Sequence, residues 1–221
     1  MSMGDPMLLT KAKLIHAEAE RRDDLNAEQK KYYKAWQVDQ YRGYSPGEGL
    51  VPIFLDSYSP EDSEDISVID YGCGPGRAGL ALFEAGLDVL MLDFVPNALD
   101  QAVEEQLGDG LRFLQRDLTQ PLDVASEWGY CCDVCEHIPE EDIDKVLDNI
   151  LSSSNSVFFQ ISNFTESYGD HPAVKEELHM NVQDYWYWLK KFAEHKGVVR
   201  RSNRLYGLSI YMVSRDDSVH V

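Results

Sequence analysis

The sequence predicts a doubly wound α/β domain: a mainly parallel seven-stranded sheet with an antiparallel last strand and helices on both faces. Three observations carry this prediction. From Ile66 onward, short apolar runs alternate with helical segments, the order that calls for parallel strands joined by crossover helices. Runs such as ISVIDY, DVLMLD and SVFFQIS lack the polar alternation of a half-exposed strand, so both faces of the sheet should be covered. Finally, VVRRSN and LYGLSIYMVS are only a few residues apart, too close for a parallel crossover, and must pair antiparallel.

Each element can be justified in chain order. Residues 8 to about 36 scatter Leu9, Leu14, Ile15, Ala19, Leu25 and Trp36 among many charges, without Gly or Pro, which predicts an interrupted, exposed helical arm outside the core. Ser45-Pro46-Gly47-Glu48 offers a cap, a first-turn proline and a glutamate at the third position, so a short helix should start at Pro46 and bend at Pro52. SYSPEDSED at 57–65 is a polar loop and marks the edge of the core. The chain therefore divides into an arm or lid, 1–44, and a domain, 45–221. Within the core the order is strand ISVIDY, a glycine-rich turn, helix RAGLALFEAG, strand DVLMLD, helix PNALDQAVEEQLG, strand LRFLQRD, strand WGYCCDV, helix PEEDIDKVLDNILS and strand SVFFQIS. A long connection from Asn163 to Met180 leads to helix VQDYWYWLKKFAEHKG, where Trp186, Leu189 and Phe192 are spaced as a core stripe.

Composition narrows the function. With 221 residues, 43% of them hydrophobic, the chain can build an ordinary core. Its 20 basic and 39 acidic residues leave a net charge of −19, which repels phosphate backbones, so DNA and RNA are not expected as partners. The one dense basic segment, RRSNR at 200–204, reads as a solvated hairpin end. The apolar runs are far shorter than the roughly 20 residues of a membrane span, and the N-terminus has no apolar stretch behind a basic start. A cytoplasmic protein without membrane contact is expected. Three of the four cysteines, Cys131, Cys132 and Cys135, are crowded together. On a strand, Cys131 and Cys132 point to opposite faces, and CCDVC lacks the second ligand pair of a zinc knuckle. Buried, reduced thiols follow, with Cys73 a small filler in the glycine turn.

The sharpest signal is VIDYGCGPGRAG, with Asp70 ending the first strand and Gly72, Gly74 and Gly76 in the turn before a helix. Glycines there let a ligand approach the backbone near a helix N-terminus. A dinucleotide fingerprint would want a small residue at 77, where this chain has Arg77. Asp70 suits a positively charged ligand better than a pyrophosphate.

This segment resembles motif I of class I S-adenosylmethionine-dependent methyltransferases, and the match continues across 66–161. Asp93 stands where that family places a carboxylate on the ribose hydroxyls, and Asp117 in LQRDL where it meets the adenine amino group. DVCEHIP, from Asp133 to Pro139, is similar to the DVLEHIP of the small-molecule branch. The resemblance implies S-adenosylmethionine as cofactor, bound around Asp70, Gly72, Cys73, Gly74, Gly76, Asp93, Phe94, Asp117, Leu118 and Asp133, and covers about 45–215. It implies transfer of a methyl group to a small-molecule acceptor by in-line displacement.

The acceptor is expected where the fourth and fifth strands end, near His137, Asn163, Tyr168, His171 and His179, with 162–186 as its wall. Trp186 and Trp188 follow there, Trp186 assigned to the core stripe. His137 is the candidate base, since imidazole titrates near neutrality, and His179 is the second catalytic candidate. Tyr32, Tyr33, Trp36, Tyr41 and Tyr44 either form an aromatic lid or dock the arm. A metal held by Asp133, Glu136, His137 and His179 would resemble small-RNA 2′-O-methyltransferases. Asp133 stands where those have Glu, and the net charge opposes RNA, so no metal is expected. The alternatives are a cofactor-binding regulator or partner subunit without transferase activity, and a nucleic-acid methyltransferase. The oligomeric state is not legible.

Overall fold

The computed structural model of the chain describes residues 6–57, 66–165 and 168–215. The expected polar loop therefore falls, but for Ser57, outside the described residues. Seven strands form one sheet in the order β3-β2-β1-β4-β5-β7-β6: β1 (Ser67–Tyr71), β2 (Asp88–Asp93), β3 (Leu111–Gln115), β4 (Ser126–Cys132), β5 (Ser154–Ser162), β6 (Gly197–Leu205) and β7 (Leu208–Arg215). The first five run parallel, and β7 is antiparallel to both β5 and β6. The doubly wound class is as expected.

Alternation along each strand feeds two cores. On one face Ile69, Tyr71, Cys131, Val157 and Phe159 meet α7 (Glu140–Ser153) and α8 (Tyr185–Glu194). On the other face Val68, Tyr130 and Phe158 meet α4 (Val51–Ser57) and α5 (Arg77–Glu84). Cys131 and Cys132 part to opposite faces, and all four cysteines are free. RRSNR lies exposed on edge strand β6.

Four expectations are corrected. The arm, with α1 (Pro6–Glu20), α2 (Ala27–Ala35) and α3 (Asp39–Arg42), is not simply exposed: Ala12, Ile15, Tyr32, Ala35 and Val38 are buried against Val95, Ala98, Ala173, Val174 and Leu178. Its charges mask a narrow apolar stripe that needs the core to complete it. The helix expected from Pro46 starts as a 3₁₀ turn at Glu48–Leu50, with no side-chain cap, before α4. The helix expected over 96–108 shrinks to α6 (Gln101–Glu104), because the Arg42 guanidinium takes the carbonyls of Asn97, Ala98 and Leu99, which a helix would need for its own bonds. Trp186 is 65% exposed. Asp184 caps α8 and fixes its phase, so Trp188 and Phe192, one turn apart, face the core instead.

Candidate functional site

The chemistry-bearing residues gather at the carboxyl ends of β1, β2 and β4, where strand order reverses and a crevice opens. There β1 runs into the glycine turn, with Gly72 and Gly74 at φ of 66° and 52°. A Cβ on Gly72 would stand 2.6 Å from Val134, and one on Gly74 2.8 Å from the Trp36 ring. Only glycine fits, and the turn becomes one wall of a cavity of about 300 Å³. Gly76 caps the start of α5 and is not part of the lining. Cys73 lines the cavity, with burial pushing its thiol up.

Two carboxylates set the electrostatics of that wall. Asp70 is 3% exposed and its Oδ2 has no hydrogen-bond partner. Burial first, and then the charge of Asp93, push its carboxyl up to about 7. Asp93 accepts from the Gly74 N–H at 3.0 Å and the Val95 N–H at 3.1 Å, yet burial still pushes it up to about 6. Such a pair favours a cationic, donor-bearing ligand, whose arrival restores both charges. Phe94 and Leu118 add apolar surface to the same cavity. Asp117 also lines it, although its Oδ1 is committed to the Thr119 N–H at 2.9 Å and hydroxyl at 2.8 Å, holding its own turn.

The opposite side begins where β4 ends. Asp133 has φ of 62°, a left-handed conformation costing a non-glycine residue about 1–2 kcal/mol, and its Oδ2 lies 4.0 Å from His137 Nε2. Burial opposes its ionisation, but contact with His137 and the charges of His137 and His179 outweigh it, holding Asp133 below the usual carboxylate range. His137 Nδ1 faces the Tyr32 hydroxyl at 3.0 Å and the Leu178 carbonyl at 3.1 Å. His179 does not line the cavity but stands edge-on to His137, ring centroids 4.5 Å apart, with Nδ1 2.9 Å from the Phe164 carbonyl. Asp133, His137 and His179 each offer a ligand atom, all within 4.8 Å of one another. Behind them Glu136 is fully buried, accepting from the Ser162 N–H at 2.5 Å; burial and then the Asp133 charge push its carboxyl well up.

The arm roofs this space. Tyr32, Trp36, Tyr41 and Tyr44 line the cavity, and Tyr32 and Trp36 also pack in the cluster that docks the arm. Lys34 pairs with Glu176 at 2.5 Å, and Lys31 donates to the Glu177 carbonyl at 3.2 Å. Asp100 bridges Arg42 at 2.9 Å and Arg77 at 2.7 Å. Sequence reasoning missed this clamp; its signal was Arg77 in place of a small residue. It also missed Asn26 and Glu28 in the lining. Conversely, none of the described residues of 162–186 lines the cavity. Asn163 instead ties the Gln183 carbonyl to Ser209, and His171 caps its own turn. The Tyr168 side chain lies outside the described residues.

Comparison with known proteins fits this geometry. Residues 68–155 match the family described as a methyltransferase domain. Among solved structures, the chain is similar to the mitomycin 7-O-methyltransferase MmcR, at 14% identity and TM-score 0.66 over 93% of this chain and 68% of that one. It is similar to magnesium protoporphyrin IX methyltransferase (ChlM) from Synechocystis PCC 6803 with bound SAH, at 16% identity and TM-score 0.60 over 93% and 100%. A third is an S-adenosylmethionine-dependent methyltransferase from Clostridium acetobutylicum ATCC 824, at 13% identity and TM-score 0.62 over 79% and 94%. No curated protein sequence matches. The structural likeness fixes the fold.

Proposed function

We propose that this chain, a class I S-adenosylmethionine-dependent methyltransferase, methylates the nucleophile of a small organic acceptor beneath a lid formed by the arm, 1–44. The observation that carries this reading is a cavity with the buried carboxylate of Asp70 at the glycine turn and His137 with Asp133 opposite. When bound, S-adenosylmethionine supplies an electrophilic methyl on a sulfonium.

The residues fit that group. Asp70 lines the cavity and offers a buried carboxylate to an ammonium, and Asp93 retains lone pairs for a diol. Gly72, Cys73 and Gly74 bring the backbone close, Phe94 and Leu118 flank a planar base, and Asp117 faces its amino edge with one oxygen. Gly76 acts through the turn rather than by contact. Asp133 sits between this half and the acceptor half. There His137, steadied by His179, prepares the nucleophile, while Tyr32, Trp36, Tyr41 and Tyr44 exclude water and hold the acceptor in line.

Tyr32, Trp36, Tyr41 and Tyr44 of the arm border the cavity, which favours a small acceptor. Two structural neighbours are named for small-molecule methylation, which supports the same class. The charge of −19 argues against DNA and RNA, and no helix of the described residues is long and apolar enough to cross a membrane. We place the protein in the cytoplasm. Incubation with methyl-labelled cofactor and a fractionated metabolite extract tests the reading. Label should appear in a low-molecular-weight product; label confined to protein or nucleic acid would overturn it.

A further inference from the structure

We propose that the outer edge of β6, with the exposed rings around its turn, docks an extended acidic segment of another protein, which adds to the sheet as a further strand. This goes beyond the sequence reading of RRSNR as a solvated hairpin end, and it does not rest on the methyl-transfer reading.

Four observations converge. First, β6 ends the strand order and pairs with β7 alone among the described strands. Its other edge therefore presents main-chain N–H and C=O groups that no strand takes up. A register shift between Val199 and Arg201 disturbs one end of the ladder, but from Arg201 to Leu205 the pairing runs on without a break. That stretch is regular enough to accept a neighbour on its outer side.

Second, this edge is a basic stripe on an acidic molecule. The chain has 39 acidic residues against 20 basic ones, and cations elsewhere are closed by carboxylates. Arg112, on the opposite edge strand β3, pairs with Asp88 at 2.8 Å, and Lys191 of α8 pairs with Asp144 at 2.6 Å. Arg200, Arg201 and Arg204 are exposed and form no ion pair among the described residues.

Third, the arginines flank both faces of the edge. Arg201 and Asn203 stand opposite Met212 and Ile210, which belong to the core under α4 and α5, whereas Ser202 stands opposite Tyr211, in the core under α7 and α8. Arg201 therefore lies on one face and Arg204, two residues past Ser202, on the other. An extended segment laid along β6 meets a cation on each side, so carboxylates at every third position match both.

Fourth, apolar surface gathers at the same edge. Tyr206, in the β6–β7 turn, is fully exposed, and Leu205, Phe164 and Trp186 are exposed as well. Phe164 lies against this turn: a Cβ on Gly207 would stand 2.8 Å from its ring. Trp186 joins from α8, edge-on to Tyr185 at 5.1 Å between centroids, and the Tyr185 hydroxyl lies 2.6 Å from Ser202 Oγ. Charge alone blunts an edge against aggregation. Trp and Tyr exposed beside Arg are instead the composition of binding hot spots.

Charge decides the occupant. A second copy pairing β6 with β6 about a two-fold axis would set the arginines of both strands against each other. A polynucleotide would bring a long run of phosphates into the field of a chain carrying −19. A short acidic strand brings few charges into that field and places them against the arginines.

Fluorescence polarisation of the full chain with a labelled synthetic peptide, Glu at every third position between Val and Thr, tests the surface. The peptide should bind with Kd on the order of 1–100 μM, more weakly as salt is raised. The Arg201→Glu, Arg204→Glu double variant should lose about tenfold or more, with thermal unfolding and S-adenosylhomocysteine affinity like the wild type. N-methylation of alternate peptide amides should cost a similar factor, because main-chain bonds hold an added strand. No binding below about 1 mM, or equal binding of the N-methylated peptide, of a counterpart with Lys for Glu, or of the double variant, would overturn the proposal. Tighter binding of labelled oligouridylate would overturn it in favour of RNA. A concentration-dependent dimer in sedimentation that the double variant abolishes would overturn it in favour of a second copy.

Discussion

Replacing Asp70 by Asn separates a binding role from a folding role, because the two predict opposite signs. The carboxyl is displaced from 3.8 to about 7 by burial and by Asp93. A group with a raised acid pKa favours the folded state while protonated, and that contribution is lost as pH rises from 3.8 through about 7. At pH 8 the ionised Asp70 therefore works against the ligand-free fold by about 4 kcal/mol, at about 1.4 kcal/mol per pH unit. Asn keeps the shape and an unpartnered polar atom, which retains about 1–3 kcal/mol of that cost. Ligand-free Asp70→Asn should then unfold roughly 2–10 °C higher than wild type at pH 8, with the gain shrinking at pH 5. Its affinity for S-adenosylmethionine should fall by about 1.5–3 kcal/mol through loss of a charge-assisted hydrogen bond. Differential scanning calorimetry and isothermal titration at both pH values read the two effects. A destabilised variant with wild-type affinity would refute the assignment of Asp70 to the ligand.

Asp93→Ala should weaken cofactor binding by about 1–3 kcal/mol, and calorimetry showing no change would remove it from the ribose position. Asp100→Ala frees both Arg42 and Arg77; it should cost about 1–3 kcal/mol of stability and speed proteolysis between α1 and α2, and an unchanged digestion rate would mean the arm is held elsewhere. His137→Ala and His179→Ala should lower turnover by roughly 10²–10⁴ with cofactor affinity nearly constant. Full turnover in both would leave positioning alone to drive the transfer.

The parts of this molecule legible in sequence are those that local chemistry dictates. DVLMLD and SVFFQIS became β2 and β5 because unbroken apolar runs need cover on both faces. Gly72 and Gly74 could be read as a ligand-facing turn, since their backbone admits no Cβ. What depended on distant partners could not be read. Arg42 dissolves most of a well-patterned helix by capturing three carbonyls from 55–57 residues away. Trp186 went outward because one cap at Asp184 set the phase of α8. Within the site, His137 and His179 were legible as residue types, whereas their edge-on meeting at 4.5 Å depends on the path of a long connection. The same path leaves the described residues of the expected acceptor wall out of the cavity lining.

The central claim is methyl transfer to a small acceptor within the cavity under the arm. It is tested most directly by following a methyl-labelled cofactor, incubated with a metabolite extract, by mass spectrometry, in wild type and in Asp70→Asn. The account predicts a labelled low-molecular-weight product and stoichiometric S-adenosylhomocysteine from wild type, both strongly reduced in the variant at limiting cofactor. Tight cofactor binding with no labelled product from any fraction would contradict it and leave a binding protein in its place.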